Sequence, residues 1–219
     1  MIQWSKLSRQ EVTAMCTRFF IEVGEKELTD ILQAAKDSLL ANKFNHLGYP
    51  VLTEGEIRPT DVVPVIAPSP HGERSVYPMK WGYTIPAHKT KLFNARCETA
   101  AVKPAFRDDW RSHRCIIPAS YYFEWEHIRM KDGKTKPGRK YAIQPGDACL
   151  TCLCGLYRIE NGLPVFVILT RQPGDSVKHI HDRMPLILPP EKIDDWIDPG
   201  AKPEAVLPYA LTRMAVEYA

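Results

Sequence analysis

A carboxylate interrupts an aromatic run at residues 121–125, which read Tyr-Tyr-Phe-Glu-Trp. Side chains alternate along a strand, so Glu124 and Tyr122 would face the side opposite to the other three aromatic residues. Burying an unpaired carboxylate costs several kcal/mol and raises its pKa, which makes Glu124 a usable general acid or base near neutral pH. The alternative is an edge-exposed or salt-bridged glutamate with a structural role.

Two further segments combine residues that transfer protons or bind anions. Residues 179–185 read His-Ile-His-Asp-Arg-Met-Pro; histidine is suited to proton transfer and arginine to phosphate. Asn94, Arg96 and Glu98 offer an amide, a guanidinium and a carboxylate before a helical stretch. Taken singly, the His-x-His pattern is more typical of a surface, and the Asn94 segment is a weak signal.

The cysteine pattern argues against a metal centre. The six cysteines are Cys16, Cys97, Cys115, Cys149, Cys152 and Cys154. Cys149 and Cys152 have the spacing of half a zinc site, and the His-x-His motif at 179–181 could complete it. However, residues 148–159 read as a strand, in which Cys152 and Cys154 lie among apolar residues and fill the core. We therefore expect no metal and no cofactor.

Composition and charge restrict the class of protein. The 219 residues are 44% hydrophobic and 25% charged, which is ordinary for one globular domain. No apolar run approaches the ~18 residues of a membrane span, and the N-terminus lacks the apolar core of a signal peptide, so we expect a soluble intracellular protein with reduced cysteines. The net charge is +3, but residues 103–140 carry 10 basic and 5 acidic side chains. That excess indicates a phosphate-bearing partner, unless the segment is a solvated loop.

The elements that must position these residues are a few helices and many short strands. Apolar residues at positions 28, 31, 32, 35, 39 and 40 follow helical spacing, which predicts one helix over residues 25–42. A second helix is predicted over residues 103–113, with Pro104 in its first turn. Strands are predicted over residues 115–125, 148–159 and 164–170. Because strands and helices do not alternate as βαβ units, we expect an α+β fold: a single domain with a mainly antiparallel, barrel-like sheet and peripheral helices.

Four motifs occur in order at wide spacing along the chain. They are Met15-Cys16-Thr17-Arg18-Phe19, Asn94-Ala95-Arg96-Cys97-Glu98-Thr99-Ala100, Tyr122-Phe123-Glu124-Trp125 and His181-Asp182-Arg183-Met184-Pro185. With Trp81-Gly82-Tyr83 as a further element, the set resembles the signature of the SRAP family (SOS-response-associated peptidase) over about residues 15–200. Members of that family sense abasic sites in single-stranded DNA and capture them covalently. One departure is visible: Glu56-Ile57-Arg58-Pro59 stands where the family has an Asn-x-Ala-Pro turn.

The resemblance implies that Cys16 is the nucleophile, used once its α-amine is free. The open form of an abasic sugar presents an aldehyde, with which the amine forms a Schiff base before the thiol closes a thiazolidine ring. An internal cysteine cannot react in this way, because its nitrogen is an amide. An α-amine with a pKa near 8 is roughly 10% neutral at pH 7, against less than ~0.1% for a lysine with a pKa near 10.4.

The resemblance also assigns roles to the other motif residues. Asn94 is implied to position the terminus or the sugar, Glu124 to shuttle protons, and His181 to help open the sugar ring or reverse the link. The implied phosphate contacts are Arg18, Arg96 and Arg183. Trp81 is implied as a stacking or wedge surface for bases. The implied partner is single-stranded DNA with abasic sites; we expect no membrane partner, a monomer, and a bacterial cytoplasmic location, associated with the nucleoid when bound to DNA.

Fifteen residues precede Cys16, so its amine is free only if they are removed or never translated. Residues 10–13, Gln-Glu-Val-Thr, can be encoded with AGGAGGTGA, a strong bacterial ribosome-binding sequence shortly before the Met15 codon. We therefore expect residues 1–15 to be a leader or a mis-assigned start, and residues 16–219 to form the SRAP-like domain. Abasic-site lyase and autopeptidase activities are further expectations. The alternatives are a cysteine-type autopeptidase and a non-covalent single-strand DNA-binding module.

Overall fold

The computed structural model describes residues 17–22, 26–85, 90–146 and 150–219. Its strands are β1 (Arg18–Ile21), β2 (Gly55–Ile57), β3 (Val62–Pro68), β4 (Arg74–Trp81), β5 (Tyr83–Ile85), β6 (Thr90–Leu92), β7 (Asn94–Arg96), β8 (Arg114–Ala119), β9 (Tyr121–Arg129), β10 (Thr135–Pro145), β11 (Thr151–Glu160), β12 (Leu163–Arg171), β13 (Met184–Pro185), β14 (Ile187–Leu188) and β15 (Met214–Tyr218). Its α-helices are α1 (Lys26–Lys36), α2 (Leu39–His46), α3 (Cys97–Ala100), α4 (Arg107–Ser112), α5 (Ile193–Ile197) and α6 (Pro203–Val206). Within the described ranges, no helix has the length and apolar character needed to cross a lipid bilayer.

Five strands close into a barrel. β12 pairs with β4, β4 with β3, β3 with β8, β8 with β11, and β11 returns to β12. Of these five pairings, β12–β4 is parallel and the other four are antiparallel. The short strands β7, β13 and β14 extend the same sheet. The predicted α+β fold with a mainly antiparallel, barrel-like sheet is confirmed.

The barrel strands are apolar on both faces. β8 is buried at all six positions and β12 at seven of its nine positions. Such continuous apolar runs are typical of strands covered on both sides, and each large buried side chain stabilises the fold by about 1.5–3 kcal/mol. Cys152 and Cys154 are fully buried in β11, which confirms that they are core residues.

A second sheet of five antiparallel strands has the order β15-β10-β9-β1-β2. Its inner face belongs to the same hydrophobic core as the barrel, to which it contributes Phe19, Ile57, Tyr122 and Ile143. In the register of β1 and β9, Arg18 lies opposite Phe123. This sheet therefore places the first described strand directly beside the strand that carries Glu124.

The predicted strand over residues 115–125 is divided between the two sheets. β8 belongs to the barrel, β9 belongs to the second sheet, and Ser120 separates them. The backbone N–H of Ser120 donates to the carbonyl of Phe20 at 2.9 Å, and its carbonyl accepts the hydroxyl of Thr151 at 2.7 Å. Hydrogen bonds to both sheets fix this residue, so the chain changes sheets there.

The predicted helix over residues 25–42 is also divided, into α1 and α2. Ser38 has an extended backbone (φ −77°, ψ 148°), and its hydroxyl accepts the N–H of Ala41 at 3.1 Å. This is an N-cap, which starts a new helix rather than continuing the old one. The helix predicted over residues 103–113 is confined to α4, which begins at Arg107.

Candidate active site

Glu124 lies in the middle of β9 with 2% of its surface exposed. Tyr122, on the same face, is 1% exposed. One carboxylate oxygen of Glu124 accepts the backbone N–H of Trp125 at 3.2 Å. This burial excludes the edge-exposed alternative and leaves a carboxyl group in a protected environment, where an acid or base acts on a bound substrate.

Cys16, the candidate nucleophile, lies outside the described residues, as do Cys149 and residues 1–15. The first described residue is Thr17, which is half-buried and directly precedes β1. The next residue, Arg18, lies opposite Phe123, which directly precedes Glu124 in β9. The second residue after Cys16 is thus paired with the strand that carries the buried acid.

His181 follows a turn at residues 175–180 and precedes β13, and its side chain is 1% exposed. Its Nδ1 lies 2.9 Å from the carboxylate of Asp182, and it accepts the backbone N–H of Arg183 at 3.1 Å. Burial is the main cause that lowers the pKa of His181 to about 4, and the nearby His127 adds to the effect. His181 is therefore neutral near pH 7, and an imidazole whose Nδ1 accepts the Arg183 N–H carries its proton on Nε2.

His127 is a site residue that the motif pattern did not indicate. It lies on β9, three residues after Glu124, and its backbone N–H donates to the carbonyl of Ile180 at 2.9 Å. Its ring centroid is 3.9 Å from that of His181. One strand therefore carries the buried acid and also holds the turn that presents His181. The sequence gives no local signal for this contact, because it joins segments that are far apart in the chain.

Asn94 begins β7 and is half-buried. The carbonyl just before it, of Phe93, accepts the indole N–H of Trp81 at 2.9 Å and the backbone N–H of Ile168 at 3.0 Å. Trp81 is fully buried and stacks on Phe166, with ring centroids 5.9 Å apart. The expectation that Trp81 offers a stacking or wedge surface is therefore wrong, because its ring cannot reach a base. It fixes the backbone beside Asn94 instead.

Gly82 permits this packing. Its φ of +119° lies in a region that favours glycine, and a Cβ there would stand 2.7 Å from the ring of Phe93. The Phe93 ring packs edge-on against Trp81, with centroids 6.4 Å apart. Trp81 and Gly82 together thus allow the Phe93–Asn94 segment to pack close to β4.

Arg183 is 3% exposed, and its guanidinium already has partners within the protein. Two of its nitrogens each donate to a carboxylate oxygen of Glu98 at 2.7 Å, and one also donates to the carbonyl of Thr170 at 2.8 Å. Burial is the largest effect on the pKa of Glu98 and raises it, but the hydrogen bonds and charge of Arg183, together with hydrogen bonds from its own backbone and from Cys97, lower the pKa overall. The expected phosphate contact of Arg183 is therefore corrected: it joins α3 and β12 to the segment that carries His181.

Arg18 also has a partner within the protein. Its guanidinium forms an ion pair with Glu56, and the Nζ of Lys140 lies 3.1 Å from the other carboxylate oxygen of Glu56. Glu56 is the first residue of the turn that departs from the family pattern. It pairs with two cations of the second sheet and more loosely with Arg58, whose Nε lies 3.9 Å away and whose side chain is 62% exposed.

Arg96 is the candidate phosphate contact whose side chain is exposed. In the pairing of β7 with β12, Arg96 lies in register with Thr170. Thr170 in turn lies in register with Pro185 of β13. Arg96 is therefore adjacent to the Arg183–Glu98 pair. Within the described ranges no ion pair engages its guanidinium.

The basic segment 103–140 is not one charged surface. Arg114 is fully buried and donates to backbone carbonyls of α4 and of the region 196–201. Lys134 and Lys136, in contrast, are exposed in the hairpin between β9 and β10. The expectation that this segment meets phosphate is therefore corrected for Arg114, whose donors are all directed into the fold.

Cys97 is a second thiol near the candidate site, beside Arg96. Burial raises its pKa to about 11. It is therefore protonated near neutral pH, which makes it a poor nucleophile, because the thiolate is the reactive form. Of the described cysteines, Cys97 is the one that is not fully buried.

The motif residues thus form two groups. Arg18 and Glu124 lie on the neighbouring strands β1 and β9, whereas Asn94, Arg96 and Arg183 surround the end of β12. The contact of His127 with Ile180 and His181 joins the first group to the second.

Solved structures with the same fold cover nearly the whole chain. A protein from Bacteroides thetaiotaomicron superposes with a TM-score of 0.69 at 20% identity, covering 93% of this chain and 91% of that one. A phage-related protein from Bordetella bronchiseptica gives the same TM-score and identity, covering 93% and 94%. At these identities the likeness establishes the fold.

Sequence relatives match a shorter part of the chain at higher identity. The chain is 37% identical over 131 residues to the abasic site processing protein YoaM of Bacillus subtilis, which is 55% of this chain and 56% of that protein. It is 34% identical over 124 residues to the abasic site processing protein YedK of Escherichia coli, which is 55% and 54% of the two chains. The matches thus span about half the length of these relatives. The family model described as SOS response associated peptidase (SRAP) matches residues 15–217, so the chain belongs to the SRAP family.

Proposed function

We propose that this protein processes abasic sites in single-stranded DNA by capturing them covalently through Cys16. Family membership and the names of the relatives support the abasic site as substrate. The observation that carries the proposal is the buried carboxyl group of Glu124 beside β1. Two peptide units separate Cys16 from Arg18, so the chain itself keeps the two Cα atoms within about 7.6 Å of each other.

The chemistry needs both functional groups of an N-terminal cysteine. The neutral amine attacks the aldehyde carbon of the open sugar, and the resulting carbinolamine loses water to give an imine. The thiol sulfur then adds to the imine carbon while its proton passes to the nitrogen, which closes the thiazolidine. One water leaves overall, and no oxidant or reductant is required. Glu124 supplies the proton to the departing hydroxyl and takes one from the attacking amine.

His181 acts in its neutral form in this proposal. With Nδ1 accepting the Arg183 N–H, its Nε2–H is a donor that can polarise the ring oxygen of the closed sugar. Asn94 positions the amine or the sugar from the other side of the site. Arg96 and, in part, Arg18 meet the flanking phosphates, while Arg183 and Trp81 hold His181 and Asn94 in place.

The N-terminus of the purified protein decides whether the chemistry is available. Mass spectrometry of the intact protein shows whether Cys16 is the first residue, and incubation with an abasic single-stranded oligonucleotide follows. We expect a denaturation-resistant adduct, without borohydride, from the protein that begins at Cys16. Cys16→Ser should bind the same oligonucleotide but form no such adduct. An adduct formed equally well by Cys16→Ser would exclude the thiazolidine.

The same experiment separates the alternatives. An autopeptidase would convert the full chain to the Cys16 form in a purified sample, and Cys16→Ser would keep residues 1–15. A non-covalent binding module would bind the oligonucleotide and form no adduct whichever N-terminus is present. Strand cleavage after adduct formation would add lyase activity to the proposal.

Glu124→Gln tests the observation on which the proposal rests. The substitution keeps the shape of the side chain but removes its titrating proton, so capture should slow by roughly 10²-fold while DNA affinity and the melting temperature stay close to wild type. Glu126→Gln, two residues along the same strand, is the matched control and should capture normally. Unchanged capture by a folded Glu124→Gln protein would remove Glu124 from the mechanism.

A further inference from the structure

An apolar groove of about 480 Å³ lies between the β3–β4 hairpin and the β11–β12 hairpin. The described residues that line it include four prolines, at positions 68, 70, 164 and 199. Proline fixes its own backbone and has no N–H, so these walls are stiff and offer few hydrogen-bond donors. Ile159 lines the same groove and is 64% exposed, which leaves apolar surface in contact with solvent. Apolar surface of this kind is typical of a site that binds another molecule.

The groove is remote from the candidate active site. Pro164, the second residue of β12, lines the groove, whereas Thr170, near the other end of the same strand, lies in register with Arg96. Six residues of strand separate the two positions, which corresponds to about 20 Å. A molecule that fills the groove therefore leaves the candidate active site open.

Two tyrosine hydroxyl groups in the groove have no hydrogen-bond partner among the described residues. They belong to Tyr77 of β4 and Tyr157 of β11, both of which are half-buried. Burial is the main cause that raises the pKa of Tyr157 to about 12, and the nearby Cys115 and Tyr77 add to it. Its hydroxyl is therefore protonated near neutral pH and can donate. Free donors between proline walls suit a ligand that offers carbonyl groups but few N–H groups, as a polyproline II segment does.

Lys43 places a positive charge beside the groove. Its Nζ donates to the carbonyl of Gly162, a lining residue, at 2.9 Å, and no carboxylate of the described chain pairs with it. Glu160, in the same hairpin as Gly162, already pairs with Arg158 and accepts the backbone N–H of Thr84. An acidic side chain of a ligand would therefore meet an uncompensated cation here.

The other side of the groove has the opposite charge. Glu73 is exposed in the β3–β4 hairpin, and Asp198, also exposed, directly precedes the lining residue Pro199. Neither carboxylate forms an ion pair within the described ranges. An acidic residue is therefore expected at only one end of a ligand, the end that lies beside Lys43.

We propose that this groove binds a proline-rich segment of a partner protein, in the polyproline II conformation, with an acidic residue at the end that meets Lys43. The proline rings of the segment fill the apolar groove, and the hydroxyl groups of Tyr77 and Tyr157 donate to its carbonyls. The inference does not depend on the proposed function. It gives the protein an attachment point that leaves the candidate active site accessible.

Fluorescence anisotropy with labelled synthetic peptides tests the groove without DNA. Two probes share the sequence Pro-Pro-Leu-Pro-Pro-Leu-Pro and carry two glutamates either before it or after it. We expect one probe to bind at least about tenfold more tightly than its counterpart with glycine in place of each proline, because the proline segment is preorganised. It should also bind about fivefold more tightly than its counterpart with lysine in place of glutamate.

Single substitutions then locate the peptide. Tyr157→Phe removes one hydrogen bond and should weaken binding about fivefold. Ile159→Asp should weaken it about tenfold, because apolar contact is lost. Lys43→Glu should weaken binding of the glutamate probe and strengthen binding of the lysine counterpart. Tyr209→Phe changes an exposed tyrosine outside the groove and is the matched control. The substituted positions are exposed or half-buried, so the folds should persist, and melting temperatures check this.

Several results would overturn the proposal. They are no binding of either glutamate probe, no preference over the glycine counterpart, and equal affinities in Tyr157→Phe and Tyr209→Phe. A dimer in sedimentation that Ile159→Asp disrupts would assign the groove to a second copy of the chain instead. Saturating peptide should leave abasic-site capture by the protein that begins at Cys16 unchanged, and slower capture would contradict docking away from the candidate active site. If no adduct forms even without peptide, the proposed function fails, while anisotropy still decides the groove.

Discussion

Among the described residues two arginines are almost completely buried, and their surroundings differ. Arg114, at the start of β8, is fully buried and directs its guanidinium at the backbone carbonyls of Trp110, Arg111, Trp196, Asp198 and Ala201. Arg183, before β13, is 3% exposed and forms a two-point ion pair with Glu98. Neutral carbonyl dipoles stabilise the charge of Arg114, whereas a titratable carboxylate stabilises the charge of Arg183.

The comparison shows that the role of a buried arginine depends on the groups to which it donates hydrogen bonds. Arg114 ties α4 to the segment around α5, and none of the residues to which it donates belongs to a motif, so its role is to close the fold. Arg183 ties α3 and β12 to the segment of His181, so its role is to hold a site residue. Breaking each contact separately should therefore have different consequences for stability and for DNA capture.

Arg114→Met should give the largest loss of stability. The substitution keeps much of the apolar stem but leaves five buried carbonyls without their donor, which costs about 3 kcal/mol or more. For a chain of this size that lowers the melting temperature by about 6–12 °C. Urea unfolding and thermal melting measure the loss, and Arg111→Met, an exposed neighbour on α4, is the control. The folded molecules of Arg114→Met should still capture abasic DNA at the wild-type rate. A slower capture rate per folded molecule would place Arg114 in the candidate active site.

Arg183→Gln should cost less stability but should slow capture. The lost hydrogen bonds from a charged group are worth about 2 kcal/mol, because Glu98 is partly exposed and can be hydrated after its partner is removed. The segment of His181 then loses its tie to β12, so adduct formation should slow by more than the loss of folded protein explains. Capture rates per folded molecule, with Arg111→Gln at an exposed position of α4 as the matched control, measure this. A rate equal to wild type would mean that Arg183 stabilises the fold in the same way as Arg114.

The sequence predicted features that depend on nearby residues and missed those that depend on distant ones. The aromatic neighbours of Glu124 indicated that it could be buried but left an edge-exposed or salt-bridged glutamate open, and the sheet architecture followed from short apolar runs with turns between them. Trp81 and Arg183 were assigned to DNA because their partners, Phe93 and Glu98, become neighbours only after folding. The contact of His127 with His181 was invisible for the same reason.

The division of the first helix could also have been predicted from nearby residues. Ser38 occupies a position where a serine N-cap divides one apolar helical pattern into α1 and α2, and the rule that predicts such caps needs only the sequence. The ion-pair partners of Glu56 could not be predicted from nearby residues. Its ion pairs with Arg18 and Lys140 join three strands of the second sheet, and that register is a property of the whole fold.

Arg96→Gln should sharpen the comparison at the DNA surface. Arg96 is exposed, so its replacement should leave stability within about 0.5 kcal/mol of wild type. If it meets one phosphate, the slope of log affinity against log salt for undamaged single-stranded DNA should fall by about 0.7, whereas Arg183→Gln should leave the slope unchanged. Fluorescence anisotropy at several salt concentrations gives both slopes. An equal change in the two variants would return Arg183 to the set of phosphate contacts.

The smallest expected effect is the pH dependence of the two arginine regions. Burial raises the pKa of Glu98, but the hydrogen bonds and charge of Arg183, together with hydrogen bonds from its own backbone and from Cys97, lower it below its ordinary value of 4.5 overall. A lowered pKa in the folded state contributes stability that is fully present above that ordinary value and is lost as the pH falls through the folded pKa. The carbonyl partners of Arg114 do not titrate, so its contribution stays constant over the same range.

Glu98→Gln and Arg114→Met therefore make a matched pair for urea unfolding between about pH 6 and about pH 3. The stability difference between wild type and Glu98→Gln should shrink as the pH falls, because the wild-type carboxylate becomes protonated and its ion pair is lost. The change should stay below about 1 kcal/mol, since the side chain of Glu98 is 42% exposed and water screens the pair. The difference between wild type and Arg114→Met should not change with pH. A constant difference for Glu98→Gln as well would show that its carboxylate charge adds nothing to the contact, and that the two arginines are held by the same kind of neutral hydrogen bond.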